Sequence, residues 1–212
     1  WFPMGRHVLR IGLNLTREGV MWAAVLEAGP RAQLDGESVL ERVGLRNYVV
    51  SRVRISVPRG AKIRARGTTV DIRQTRRWSR ETQDPSDPLP RTLVEVAAIR
   101  AALWATSQRQ ATLLLTMVVQ QRLASVEQLV IAMNQVRRDK RRTLIYGVLT
   151  DLDGGIQSLG ELDLIRGLRD RGLPEPDKQV LRRTPQGNYY LDFRWRPYAV
   201  VVEVDGIQHG WV

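Results

Sequence analysis

Asp192 and Glu203 stand in two β-patterned runs near the carboxyl end, Tyr-Tyr-Leu-Asp-Phe-Arg-Trp (189–195) and Val-Val-Val-Glu-Val-Asp-Gly (200–206). Alternation puts Tyr190, Asp192 and Arg194 on one face of the first run, and Leu191, Phe193 and Trp195 on the other. In the second run Val200, Val202 and Val204 form an apolar face, with Val201, Glu203 and Asp205 opposite. Arg196-Pro197-Tyr198-Ala199 fits a hairpin loop with Pro as its turn former. Closing the hairpin there sets Trp195 against Val200 and Asp192 directly across from Glu203, with Cβ atoms about 5 Å apart. Asp205 lies about 7 Å from Glu203 on the same face. Like charges so placed repel unless something compensates them, and a hard cation taking carboxylate oxygens is suited to do so. The expectation is a divalent cation between Asp192 and Glu203, with Asp205 on the same face and His209 just past the strand. Any one of these residues alone would read as solvated surface; three carboxylates on one face followed by a histidine predict a cation site for phosphodiester hydrolysis.

A fourth acid belongs to the same region. Ser158-Leu-Gly-Glu161 opens a helix in which Glu161 falls in register with Leu164, Ile165 and Leu168, so it points toward the sheet. The same Ser-x-x-Glu spacing is a capping box, in which Glu161 satisfies the amide of Ser158. The two roles are compatible, and Glu161 is retained as a candidate catalytic residue.

Residues 158–209 read Ser-x-x-Glu, Gly-Leu-Pro-Glu-Pro-x-x-Gln, Leu-Asp-Phe-Arg-Trp and Val-Val-Glu-Val-Asp-Gly-x-x-His in order. This string closely resembles a domain-of-unknown-function family related to very-short-patch-repair endonucleases, within the PD-(D/E)XK nuclease superfamily. The preceding region resembles the AbiEi-antitoxin-like segment that such domains follow. The resemblance implies that Asp192 and Glu203 are the two motif acids. It also implies metal-dependent endonuclease action on DNA, with Mg²⁺ or Mn²⁺ held by Asp192 and Glu203, Asp205 completing the shell directly or through water, and His209 relaying the proton. Asp205 occupies the position where the superfamily carries a lysine. That departure leaves a second reading open, a non-enzymatic DNA-binding regulator of the antitoxin type with a degenerate nuclease module.

Charge agrees with a DNA partner. The chain of 212 residues has a formal net charge of +11. The excess lies in residues 1–150, whereas 151–212 holds slightly more acids than bases. A basic body joined to a mildly acidic module fits a phosphate-gripping platform beside a cation site. One candidate stretch holds Arg59, Lys62, Arg64, Arg66, Arg73, Arg76 and Arg77; a second holds Arg138, Lys140, Arg141 and Arg142. There is no cysteine and only two histidines, which excludes disulfides, thiolate zinc and histidine-rich metal centres. No apolar run is long enough for a membrane span and no signal peptide is legible, so a cytoplasmic protein without a membrane partner is expected. The start at Trp1 and the stop shortly after His209 read as a fragment of something longer.

These pieces assemble into an α/β (α+β) expectation in three parts. Residues 1–90 form a basic αβ segment, with helices at 16–28 and 35–43 and strands at 48–57, 61–66 and 69–75 in an antiparallel sheet. The helix pair around Gly29-Pro30 also fits a helix-turn-helix. Residues 79–90 have linker composition. Residues 91–155 are helical, with boxes at Ser107-x-x-Gln110 and Ser125-x-x-Gln128 and apolar faces that could join two copies as a homodimer. Residues 156–212 form a truncated PD-(D/E)XK restriction-endonuclease-like core, incomplete at its carboxyl end.

Overall fold

The computed structural model describes residues 16–63, 69–156, 158–185 and 187–204, together with the backbone of an antiparallel ribbon, β1 (Phe2–Met4) and β2 (His7–Leu9). Helix α1 (Arg17–Ala28) begins where Thr16 Oγ1 accepts from the Gly19 N–H at 3.1 Å, and it stops at Gly29, whose φ of +107° suits a residue without Cβ. Strand β3 (Gln33–Leu34) separates α1 from α2 (Glu37–Arg42), so the two helices do not form a helix-turn-helix. Helix α2 buries Glu37, Ser38, Val39 and Leu40 and has no free face for a DNA groove.

Strand β4 (Val53–Pro58) pairs antiparallel with β3 and parallel with β5 (Val70–Thr75), in register from Val53↔Val70 to Pro58↔Thr75. Alternation predicts an antiparallel sheet here, and the β4–β5 pair corrects that expectation. Side-chain alternation reports the face a residue takes, not the direction in which the chain returns. The 59–69 connection is near the shortest that a parallel return allows. Residues 48–52 and 61–63 are not strand, and 64–68 lie outside the described residues.

Two apolar clusters meet at α2 and α3 (Val94–Trp104), with Val39 of α2 in the smaller and Leu40 in the larger. Met21, Ala24 and Val25 of α1 pack with Leu34, Val39, Val53, Ile55, Val57 and Leu89 over the small sheet. The larger cluster is built by α3, α4 (Gln108–Gln120), α5 (Val126–Asn134), α6 (Arg142–Asp153) and α7 (Leu159–Asp170). Helix α3 gives Ala97 to the first and Ala98, Ile99, Ala101 and Ala102 to the second. Its alanines let neighbours approach on several sides, and the apolar faces of α4 and α5 are largely spent in this core. Both expected helix starts are present: Ser107 Oγ accepts from the Gln110 N–H, and Ser125 with Gln128 completes a reciprocal capping box. The mixed α/β class is therefore observed, and among the described residues no helix is long and apolar enough to cross a membrane.

The segment 79–90 has linker composition but is pinned. Asp87 Oδ2 accepts from Arg42 Nε and from Arg91 Nε, each at 2.7 Å, and Leu89 is fully buried. The hydrogen bond from Arg42 outweighs desolvation and holds the Asp87 carboxyl down from 3.8 to about 2. A depressed folded pKa stabilises above the unfolded value, so this contribution is complete above pH ~4 and is lost as pH falls toward 2. Urea unfolding of Asp87→Asn should show less stability than wild type at pH 7, with the gap closing at low pH. A constant gap would show that protonation of Asp87 is not what matters there.

Candidate active site and basic surface

The second sheet is a meander of β6 (Asp177–Thr184), β7 (Gly187–Trp195) and β8 (Val200–Val202), with β7 in the centre. Leu191 and Phe193 of β7 are buried, and Phe193, buried completely, joins the cluster that includes Leu162 and Ile165 of α7. Trp195 fixes the strand's end, donating from Nε1 to the Pro174 carbonyl at 2.7 Å. With alternate residues so anchored, Asp192 and Arg194 are turned to the opposite face.

The turn between β7 and β8 is a 3₁₀ turn, Arg196–Tyr198, closed by Ala199 at φ +50°. It sets Trp195↔Val200, Arg194↔Val201 and Phe193↔Val202. One step farther in that register, Asp192 stands across from Glu203, as the alternation predicts. The two carboxylates are not simply left to repel. Asp192 Oδ2 accepts from the Val204 N–H at 2.9 Å, and Glu203 Oε2 accepts from the Asp192 N–H at 3.4 Å. Each acid is thus turned onto the backbone of the other's strand, which offsets part of the expected charge cost.

Helix α7 meets the pair at its first turn. Ser158 Oγ accepts from the Glu161 N–H at 3.1 Å, so the predicted cap is in place, and Glu161 is buried. A Cβ on Gly160 would lie 2.7 Å from Val204 Cγ1. The helix start therefore rests directly on the residue whose N–H holds Asp192, and this close approach explains why position 160 lacks a side chain. Asp205 and His209 lie outside the described residues. Among the described residues no three His, Cys, Asp or Glu side chains converge as a metal-binding group.

Two further polar residues border Asp192. Gln179 of β6 donates from Nε2 to Asp192 Oδ1 at 3.5 Å. Arg194 has enclosed Nε and Nη2 atoms without hydrogen-bond partners, and its ion-pair partner Asp177 is 3.7 Å away. Arg196 shares Asp177, at 3.4 Å. Arg194 follows from the alternation, being in register with Asp192; the role of Gln179 requires β6, which has no clear alternation of its own. Tyr190, Leu181 and Val201 are exposed on this sheet.

The basic candidates divide into structural and free groups. Arg73 pairs with Asp71 at 3.3 Å and lies 5.2 Å over the Trp104 ring. Arg77 Nη2 donates to the Arg138 carbonyl at 2.8 Å and lies 3.4 Å from Asp139. Arg141 donates to the Leu103 carbonyl at 2.8 Å; Arg142 donates to the Val136 carbonyl and stacks 4.8 Å from the Tyr146 ring. Arg77, Arg141 and Arg142 hold loops together, and Arg73 joins β5 to the end of α3. Arg59, Lys62, Arg76, Arg138 and Lys140 are exposed, and Arg64 and Arg66 lie outside the described residues. The hydrogen bond from Arg77 to Arg138 joins the two basic stretches, so Arg76, Arg138 and Lys140 belong to one surface.

No protein-family model, curated protein or solved structure matches this chain.

Proposed function

We propose that the chain is a metal-dependent endonuclease module acting on DNA by phosphodiester hydrolysis. The observation that carries this reading is the opposition of Asp192 and Glu203 across the β7–β8 turn, with the start of α7 resting on Val204 beside them. The donor set fits Mg²⁺, which keeps several waters and is bound by one or two carboxylates plus substrate phosphate rather than by an all-protein cage. A cation there would supply a bound water of lowered pKa and offset charge on the scissile phosphate. Asp192 and Glu203 would hold it, and Asp205 and His209, which follow in the chain beyond the described residues, are the groups that would complete the shell and move a proton. Glu161, buried in the first turn of α7, remains the fourth candidate acid. The test is cleavage of plasmid and single-stranded DNA by the full chain with Mg²⁺ or Mn²⁺. Cutting that persists in EDTA, or in both Asp192→Asn and Glu203→Gln, would remove the reading.

The exposed surface around Arg76, Arg138 and Lys140 supports DNA as the partner through phosphate contacts that do not depend on chemistry. Replacing these three by Ser should flatten the dependence of affinity on salt by about 0.9 log unit for each phosphate no longer neutralised, and up to ~2.7 in all. Sequence preference should not change, because phosphate contacts position the duplex without reading bases. Fluorescence anisotropy across a salt series measures the slope, and an unaltered slope would leave these residues as solvated surface. Salt-dependent binding without cleavage would favour the antitoxin-type regulator, which Asp205 at the lysine position also favours.

A further inference from the structure

We propose that Gln179 is the positioning residue that orients the Asp192 carboxylate for a divalent cation, and that its left-handed backbone is maintained for this purpose. The proposal rests on reading Asp192 and Glu203 as a cation site. Gln179 has a φ of +48° in the interior of β6, a region that residues with a Cβ seldom enter and that is rarer still within a strand. Lys178 faces Phe193 and Val180 faces Leu191, so no residue is inserted in either strand, and the β6–β7 ladder is interrupted only at the step between them. A bulge is therefore not the cause.

The position across from Gln179 in that register is Asp192. Its Nε2 reaches Asp192 Oδ1 while the Val204 N–H holds Oδ2, so both carboxylate oxygens are engaged. On its other side the side chain is bordered by the glycine turn after α6; a Cβ on Gly155 would come within 3.8 Å of Gln179 Cγ. A carboxylate held at both oxygens has its remaining lone pairs, one on each oxygen, fixed in direction and open to a cation. Outer partners of this kind set ligand orientation, and their loss commonly weakens metal binding about 10–100-fold. Unfavourable backbone geometry retained beside such a group is where strain serves a site.

Two substitutions separate the backbone from the amide. Gln179→Gly removes the left-handed penalty and the amide together, while Gln179→Asn tolerates the same φ but is one methylene too short to reach Asp192. Mn²⁺ binding to the full chain, followed by electron paramagnetic resonance with Mg²⁺ in competition, is compared with the metal-free melting temperature. The expected result is a melting temperature equal to or above wild type, with Mn²⁺ affinity about tenfold lower or worse in both variants. Variants that bind Mn²⁺ as tightly as wild type overturn the role of Gln179 and leave the cation site standing. A melting temperature that falls in step with affinity assigns Gln179 to the fold and also overturns it. A wild type that takes up no Mn²⁺ overturns both this proposal and the cation reading.

Discussion

Arg100→Met should lower the unfolding free energy by about 3–5 kcal/mol, the largest stability effect expected of a single substitution in this chain. Arg100 and Asp35 are both buried, and Arg100 Nη1 lies 2.6 Å from Asp35 Oδ2. The other carboxylate oxygen accepts from the Gly36 N–H at 2.7 Å and from Thr92 Oγ1 at 3.1 Å. The second terminal nitrogen of Arg100 donates to the Arg77 carbonyl. One guanidinium therefore ties α3 to the β3–α2 turn and to the exit of β5. Methionine fills similar volume but leaves a carboxylate in the interior without its counter-charge, and that uncompensated charge is the source of the cost. Changing both partners, Asp35→Leu with Arg100→Met, should recover much of the loss, since apolar replacement of an entire buried pair is often neutral. Recovery will be incomplete because the Gly36 N–H and Thr92 hydroxyl lose their acceptor. Urea unfolding of Arg100→Met, Asp35→Leu and the double variant measures this coupling directly. Single and double variants of equal stability would show that desolvation, not pairing, governs the site.

Nothing local in the sequence announces that pair, whose members are 65 residues apart. Pairs of such separation carry no periodic signal, and the same holds for Arg42 with Asp87. The β7–β8 hairpin was legible for the opposite reason. A short turn fixes the register, a period of two fixes the faces, and together they place Asp192 across from Glu203 without any knowledge of the rest. Strand β6 was hidden because Asp-Lys-Gln-Val-Leu-Arg-Arg-Thr puts its two apolar residues side by side. An edge strand with much of its length exposed has little need of alternation. With β6 unseen, the place of Gln179 beside Asp192 could not be read, although its residue type was in view. The basic stretches were visible as composition; which cations hold loops and which face water depends on carbonyls such as those of Leu103, Val136 and Arg138.

Divalent cations should raise the melting temperature of the wild-type chain and do far less for Asp192→Asn. A ligand bound only by the folded state stabilises it by RT ln(1 + [L]/Kd), about 2.7 kcal/mol at a hundredfold excess over Kd. Without a cation the variant should melt slightly higher than wild type, because relief of an opposed like-charge pair is worth roughly 0.2–1 kcal/mol. The gain stays at the lower end, since a neutral Asn accepts the Val204 N–H, now 2.9 Å from Asp192, less strongly than the carboxylate does. The two effects have opposite signs, so the order of melting temperatures should invert when Mg²⁺ or Mn²⁺ is added. General destabilisation by mutation cannot produce such an inversion, and neither can ionic screening if sodium at matched ionic strength leaves the order unchanged. Glu203→Gln should behave in the same way, because its carboxylate is the other half of the pair and accepts from the Asp192 N–H. If wild type and both variants respond equally to the divalent ions, Asp192 and Glu203 are ordinary surface acids and the cation must lie elsewhere.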